Sequence, residues 1–138
     1  MVMKITPEIR TYAMNIAAVG NRMQQTGNRF REISDDITRD TIGIREAKGE
    51  YLILLQEFEQ QEKTLLKQNV PSALKTEHDC LVNSFGKYVE ATNLMISSLN
   101  VEIVTVNESL YEEAKSLQGT AAKEIVQTTQ QMAIKLGI

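Results

Sequence analysis

From Ile9 onward, large apolar residues recur at every seventh position (Ile9, Ile16, Met23, Phe30), with small partners at Ala13, Gly20, Gly27 and Ser34. That spacing predicts a helix with one buried stripe. Thr6-Pro7-Glu8 supplies its start: a hydroxyl N-cap, a proline at the first helical position and an acid in the first turn. Large residues alternating with small ones predict a neighbouring helix approaching closely over Gly20 and Gly27. Each mid-helix glycine otherwise costs about 1 kcal/mol of helix propensity. Ser34-Asp35-Asp36 and Thr38-Arg39-Asp40-Thr41, then Gly43, are poor helix formers and predict a turn.

A second helix carries Ala47, Tyr51, Leu54, Leu55, Phe58, Leu65 and Leu66 inward, with Glu57, Glu59, Gln60, Gln61 and Lys63 toward water. Asn69-Val70-Pro71-Ser72 breaks the chain, because proline stops one helix and can open the next. The third helix lines up Leu74, His78, Leu81, Val82, Phe85, Tyr88, Val89, Met95, Ile96 and Leu99. A β-branched stretch from Asn100 to Asn107 follows, and Asn107 with Glu108 caps a fourth helix bearing Leu110, Ala114, Leu117, Ala121, Ile125, Met132 and Leu136. The expected fold is all-α: an up-down-up-down four-helix bundle in a single domain over 1–138, with helices over 7–34, 42–68, 71–99 and 106–136. A rival is also in the pattern. The heptad phase runs unbroken from Ile9 to Leu65, and from Val82 to Leu117. Two helices of about 60 residues could therefore form a coiled-coil hairpin, a rod of roughly 90 Å that dimerises to cover its core.

Composition narrows the function. Two prolines and no tryptophan in 138 residues suit long helices. A net charge of −3 and a pI near 5.2 argue against nucleic acid as a partner, which calls for a basic face. All six arginines fall within the first 45 residues, interleaved with Glu8, Glu32, Asp35, Asp36 and Asp40. A mutually paired, solvated surface is the plain reading. The sharper one makes Arg22 and Arg29, one heptad apart, the face that docks an anionic partner. A single cysteine makes no internal disulfide. No apolar run approaches the roughly 18 residues of a membrane span. Met1-Val2-Met3-Lys4 lacks the plan of a signal peptide. The expectation is a cytoplasmic protein without a membrane span.

His78 is the one histidine and the residue most worth testing. A phosphotransfer histidine on a four-helix bundle is followed by lysine at three and glycine at four residues. Here Leu81 and Val82 stand at those positions. His78 falls in the apolar stripe, which predicts a partly buried, hydrogen-bonded side chain or a polar residue of an internal pocket. A di-iron bundle needs two Glu-x-x-His pairs, and one histidine preceded by Lys75 cannot supply them. His78 and Cys80, two apart on a helix, face different ways and make no zinc site. Cys80 has acidic neighbours, Glu77 and Asp79, which do not favour a reactive thiolate. The glycines are scattered and form no phosphate loop. Glu57, Glu59 and Glu62 read as a solvated face, and Met23 and Met132 as core. No cofactor, metal or catalytic residue is expected.

Val70-Pro71, Leu74-Lys75, His78 and Tyr88-Val89-Glu90-Ala91, followed by the alanine-bearing stripe from Leu110 to Leu136, form a recognisable series. It resembles the Pro-x-x-x-Lys-x-x-His helix start of small helical proteins and lipoproteins of Gram-positive bacteria. The resemblance spans about half the chain and implies four-helix topology, not an activity. The lipid-anchored cysteine of the lipoprotein members has no counterpart near the start of this sequence, so no membrane anchor follows.

Three functional classes stay open. The first is a non-enzymatic interaction or structural protein working through a face or groove, with a protein partner or a second copy of itself. The second is a secretion-system substrate or chaperone, although the Trp-x-Gly turn typical of such substrates has no tryptophan here to form it. The third is an enzyme or small-ligand receptor whose internal pocket forms only on folding, lined by Tyr12, Tyr51, Tyr88, Tyr111 and His78. A large cavity favours the third, and a tight core removes it.

Overall fold

Four helices form where the periodicity places them, and packing moves their ends. The computed structural model describes residues 5–137. The Met1-Val2-Met3-Lys4 segment that bears on a signal peptide lies outside the described residues. In chain order, α1 is Pro7–Thr38, α2 is Ile44–Leu66, α3 is Lys75–Ser97 and α4 is Glu108–Leu136. A single 3-10 turn, Ser72–Leu74, precedes α3, and two-residue strands β1 (Leu99–Asn100) and β2 (Thr105–Val106) join α3 to α4.

Thr6 caps α1, its hydroxyl accepting the Ile9 N–H at 3.2 Å. The helix runs four residues beyond the expected end at Ser34, because Ile33 and Ser34 are buried and Ile37 packs on the core. Tertiary packing outweighs the weak propensity of Ser-Asp-Asp. The chain then turns sharply. Asp40 takes a left-handed conformation with φ 58°, and the Thr41 N–H folds back to the Asp36 carbonyl at 2.9 Å. Heptad phase passes through this turn while the helix does not, so the first rod of the rival hairpin is absent.

The second rod is interrupted in a different way. The β-branched run folds into an antiparallel hairpin pairing Leu99 with Val106 and Asn100 with Thr105. Asn100 steers it, its side-chain carbonyl accepting the Glu102 and Ile103 N–H groups at 3.0 and 3.3 Å. At its tip Val104 sits at φ 51°, a strained setting for a β-branched residue. Asn107 then caps α4 through the Leu110 N–H at 3.1 Å.

Buried positions on each long helix step by three and four residues alternately, a seven-residue period. On α4 they are Tyr111, Ala114, Gln118, Ala121, Ile125, Thr128, Met132 and Leu136. Leu117, expected inward, stands one position before this series and is exposed, and Gln118, seven residues from both Tyr111 and Ile125, takes its place. On α2 the series Ala47, Leu54, Gln61 and Tyr51, Phe58, Leu65 buries Gln61, which was expected to face water, and leaves Leu66 exposed.

Aromatic rings join the first three helices. Phe58 of α2 stacks on Tyr88 of α3 with centroids 4.2 Å apart, and Phe30 of α1 stacks on Tyr51 of α2 at 5.4 Å. Such pairs contribute about 0.5–1.5 kcal/mol each beyond the area they bury. The fourth helix lies along α3. Lys135 pairs with Glu77 at 2.6 Å, Ser84 and Lys87 reach Glu124, and Gln118 donates to the Thr92 hydroxyl at 3.1 Å. Ala114 and Ala121 sit buried in this helix, small enough for close approach. The Tyr51 and Tyr111 hydroxyls meet at 2.6 Å and tie α4 to α2.

Candidate functional site

α4 packs most extensively on α3, and on its other side it meets α1 with a cleft between them. A methyl group placed at Gly20, Gly27 or Gly119 would meet nothing within 4 Å. The close helix approach expected over Gly20 and Gly27 is therefore not made. These glycines line a cleft of about 880 Å³ that runs along α1 from Tyr12 to Ser34 and along α4 from Lys115 to Leu136. At about 1.5 Å per residue the cleft is roughly 30 Å long.

Core side chains make its floor: Ile16, Met23, Phe30, Tyr88, Met95, Ile125 and Met132 line it, each less than 9% exposed. Amides edge it, among them Asn21, Gln24, Asn28 and Gln130. Two charged residues line it, Arg31 and Lys115, and both are cations. Side-chain contacts fix the helix directions. Asn15 to Gln68 and Arg29 to Glu50 make α1 and α2 antiparallel. Tyr12 to His78 and Phe30 to Tyr88 make α1 and α3 parallel, and the Glu77–Lys135 and Thr92–Gln118 contacts make α3 and α4 antiparallel. So α1 and α4 are antiparallel. Arg31, near the finish of α1, and Lys115, near the start of α4, belong to the same end of the cleft.

Arg22 and Arg29 lie elsewhere, in a groove of about 570 Å³ between α1 and α2 that also takes in Gln25, Glu50, Gln61 and Thr64. The Arg29 guanidinium is already answered there. Nη2 donates to both Glu50 carboxylate oxygens at 2.8 and 2.9 Å, and Nη1 donates to Glu32 at 3.0 Å. The hydrogen bond to Glu32, with the Glu50 pairing, holds its pKa above the ordinary arginine value despite some desolvation. Arg22 makes no ion pair among the described residues. The two arginines share a groove, but they are not a matched pair of free charges. Gln61, beside them, has a buried side-chain carbonyl with no hydrogen-bond partner among the described residues.

His78 is buried, and its Nδ1 lies 2.7 Å from the Tyr12 hydroxyl. Burial lowers the imidazole pKa, outweighing the opposing pull of Asp79. Burial, with the nearby Glu77 charge, raises that of the Tyr12 phenol. Both shifts favour a neutral pair in which the phenol O–H donates to the imidazole. Of the five residues expected to line a pocket, Tyr12 and Tyr88 reach the cleft. Tyr51 and Tyr111 spend their hydroxyls on each other, and His78 stands behind Tyr12. Cys80 is exposed. Among the described residues no cluster of His, Cys, Asp and Glu is placed to hold a metal ion, and no helix is long and apolar enough to cross a membrane.

Sequence reasoning missed the cleft, along with Arg31, Lys115, Gln118 and Gly119. The signal was present in the small residues of α1 and α4, but spacing alone does not say whether small residues bring helices together or leave a gap. No family model, curated protein or solved structure matches the chain.

Proposed function

We propose that the protein is a non-enzymatic binding module, and that its working surface is the seam between α1 and α4. The cleft there carries this reading. A volume of about 880 Å³ is within the range of small-molecule sites, and such sites are mostly apolar with a few placed polar groups. The seam offers more space than the groove of about 570 Å³ between α1 and α2. Its floor also limits the guest. A helix is about 10 Å across and cannot reach Met23 or Ile125, at 5% and 1% exposure, without prying α1 away. A slender chain needs no such opening, because it lies in the open space beside Gly20, Gly27 and Gly119. The small-ligand receptor among the expected classes is thus favoured over a partner helix. The reading places no function on the Arg22–Arg29 groove, where Arg29 is held by Glu50 and Glu32.

The test is a fluorescence titration with Nile red, an uncharged dye that brightens in apolar surroundings. The native protein and a Gly27→Leu/Gly119→Leu variant, which fills the cleft from both walls, are compared after circular dichroism shows equal helicity. Saturable binding to the native chain that disappears in the filled variant is expected. Equal binding to both, or none to either, refutes the assignment.

A further inference from the structure

The cleft is chemically uneven along its length, and this points to the class of guest. One end has Tyr12, Ile16, Met132 and Leu136, all buried and all without charge. The other end has Arg31, Lys115, Ser34 and Gln118. Arg31 and Lys115 are exposed, and neither forms an ion pair among the described residues. What sets these two apart from the other unpaired cations, such as Arg22, is that both line this cleft and no acid does. Asp35 and Glu112 lie one turn away on the same helices, but neither lines the cleft. Ser34, at 5% exposure, enters the side-chain hydrogen bonds only through its carbonyl, which accepts from Thr38. Gln118 is anchored by its Nε2 to the Thr92 hydroxyl, so its position on the wall is fixed.

We infer that the cleft binds a single-chain anionic amphiphile of the long-chain carboxylate class, with the headgroup between Arg31 and Lys115 and the hydrocarbon chain running toward Tyr12 and Leu136. This rests on the proposed role of the α1–α4 seam and names its ligand. Charge complementarity chooses the headgroup: an anion meets two unanswered cations and a free hydroxyl at one end. Along the rest of the cleft a second charge would face apolar side chains or neutral amides. That arrangement disfavours a zwitterion or an acidic peptide, whose charges are spread along their length. The dimensions suit a chain. The hydrocarbon core of a bilayer is about 30 Å thick and holds two acyl chains end to end, so a sixteen-carbon chain takes about half of the cleft. Arg31 and Lys115 come from different helices, so the headgroup also bridges α1 and α4.

Equilibrium dialysis of hexadecanoate and hexadecan-1-ol, both below their aggregation limits, separates headgroup from chain. The chain is tested in its native form, as Arg31→Gln/Lys115→Gln and as Gly27→Leu/Gly119→Leu. Hexadecanoate should bind the native protein about tenfold or more tightly than the alcohol, in line with charge-assisted hydrogen bonds. That advantage should shrink in high salt. The double glutamine variant should lose it while its alcohol binding stays within about twofold. Each methylene added to the carboxylate should tighten binding by about fourfold until the cleft is filled. Equal binding of acid and alcohol to the native chain overturns the carboxylate assignment and leaves the seam as the binding surface. An advantage that survives in the glutamine variant overturns the placement of the headgroup. Acid and alcohol that bind the cleft-filled variant as well as the native chain overturn the seam itself.

Discussion

Replacing Gly20, Gly27 and Gly119 with alanine should make the protein more stable, and by a predictable amount. All three are helical, and a methyl group at each meets open space. Alanine exceeds glycine in a helix interior by about 0.8–1.0 kcal/mol, mainly through the backbone freedom that glycine loses on folding. No clash offsets that gain here. Gly20 and Gly27 stand about 10 Å apart along α1 and Gly119 lies on the facing helix, so the increments should add. The triple variant is then about 2.5–3 kcal/mol more stable. Unfolding entropy of about 2.1 cal/mol/K per residue gives about 0.29 kcal/mol/K for 138 residues. The midpoint should therefore rise by about 8–10 °C. Thermal circular dichroism measures the shift, and urea unfolding with an unchanged slope confirms that stability alone has moved. A variant that is unchanged or less stable would mean that a helix backbone occupies the space, and the open seam would be refuted. The three single variants would then show where.

Other consequences can be checked as directly. Tyr12→Phe leaves the buried His78 acceptor unpaired and should cost about 1–3 kcal/mol in urea unfolding. Its cost should fall in a His78→Leu background, and strict additivity would refute the coupling. The depressed His78 pKa makes stability pH-dependent. The unfolded histidine binds a proton near pH 6.5 while the folded one resists, so stability is full above that pH and declines as pH falls toward the lower folded value. His78→Leu should flatten the slope in that window. Gln61→Leu removes a buried carbonyl without a partner and should raise stability by about 1 kcal/mol; a loss would reveal a hydrogen bond that the amide does make. Val104→Asn relieves a β-branched residue at φ 51° and should gain about 1 kcal/mol, read as a higher unfolding midpoint.

The helices were legible because one stripe of apolar residues suffices to define each of them, and Thr6 and Asn107 announced two starts with side chains that do cap. The ends were less so. Ser34 to Thr38 stay helical because Ile33 and Ile37 have a core to reach, which local propensity cannot register. Residue type misplaced Gln61 and Leu66: Gln61 is polar but stands seven residues after Leu54 in the buried series, and Leu66 is apolar but lies one position past Leu65. The burial of His78 was readable from its place in the stripe, but its partner Tyr12, 66 residues away, was not. The cleft was the least readable feature. Its existence depends on α4 choosing α3 over α1, a choice made by Glu77, Glu124 and Thr92, none of which lines it.

That same one-sidedness orders the assembly of the chain in time. The α3–α4 hairpin is closed by a short β-turned loop and secured along its length, so its contacts are local and form at little entropic cost. The first helix meets α4 only across a cleft and is joined to α2 and α3 by aromatic rings. Its amides should therefore exchange with solvent by openings that leave α3 and α4 intact, at a free energy below that of global unfolding. A guest in the seam would slow that exchange in α1 first, turning the least secured helix into the part of the molecule that registers occupancy.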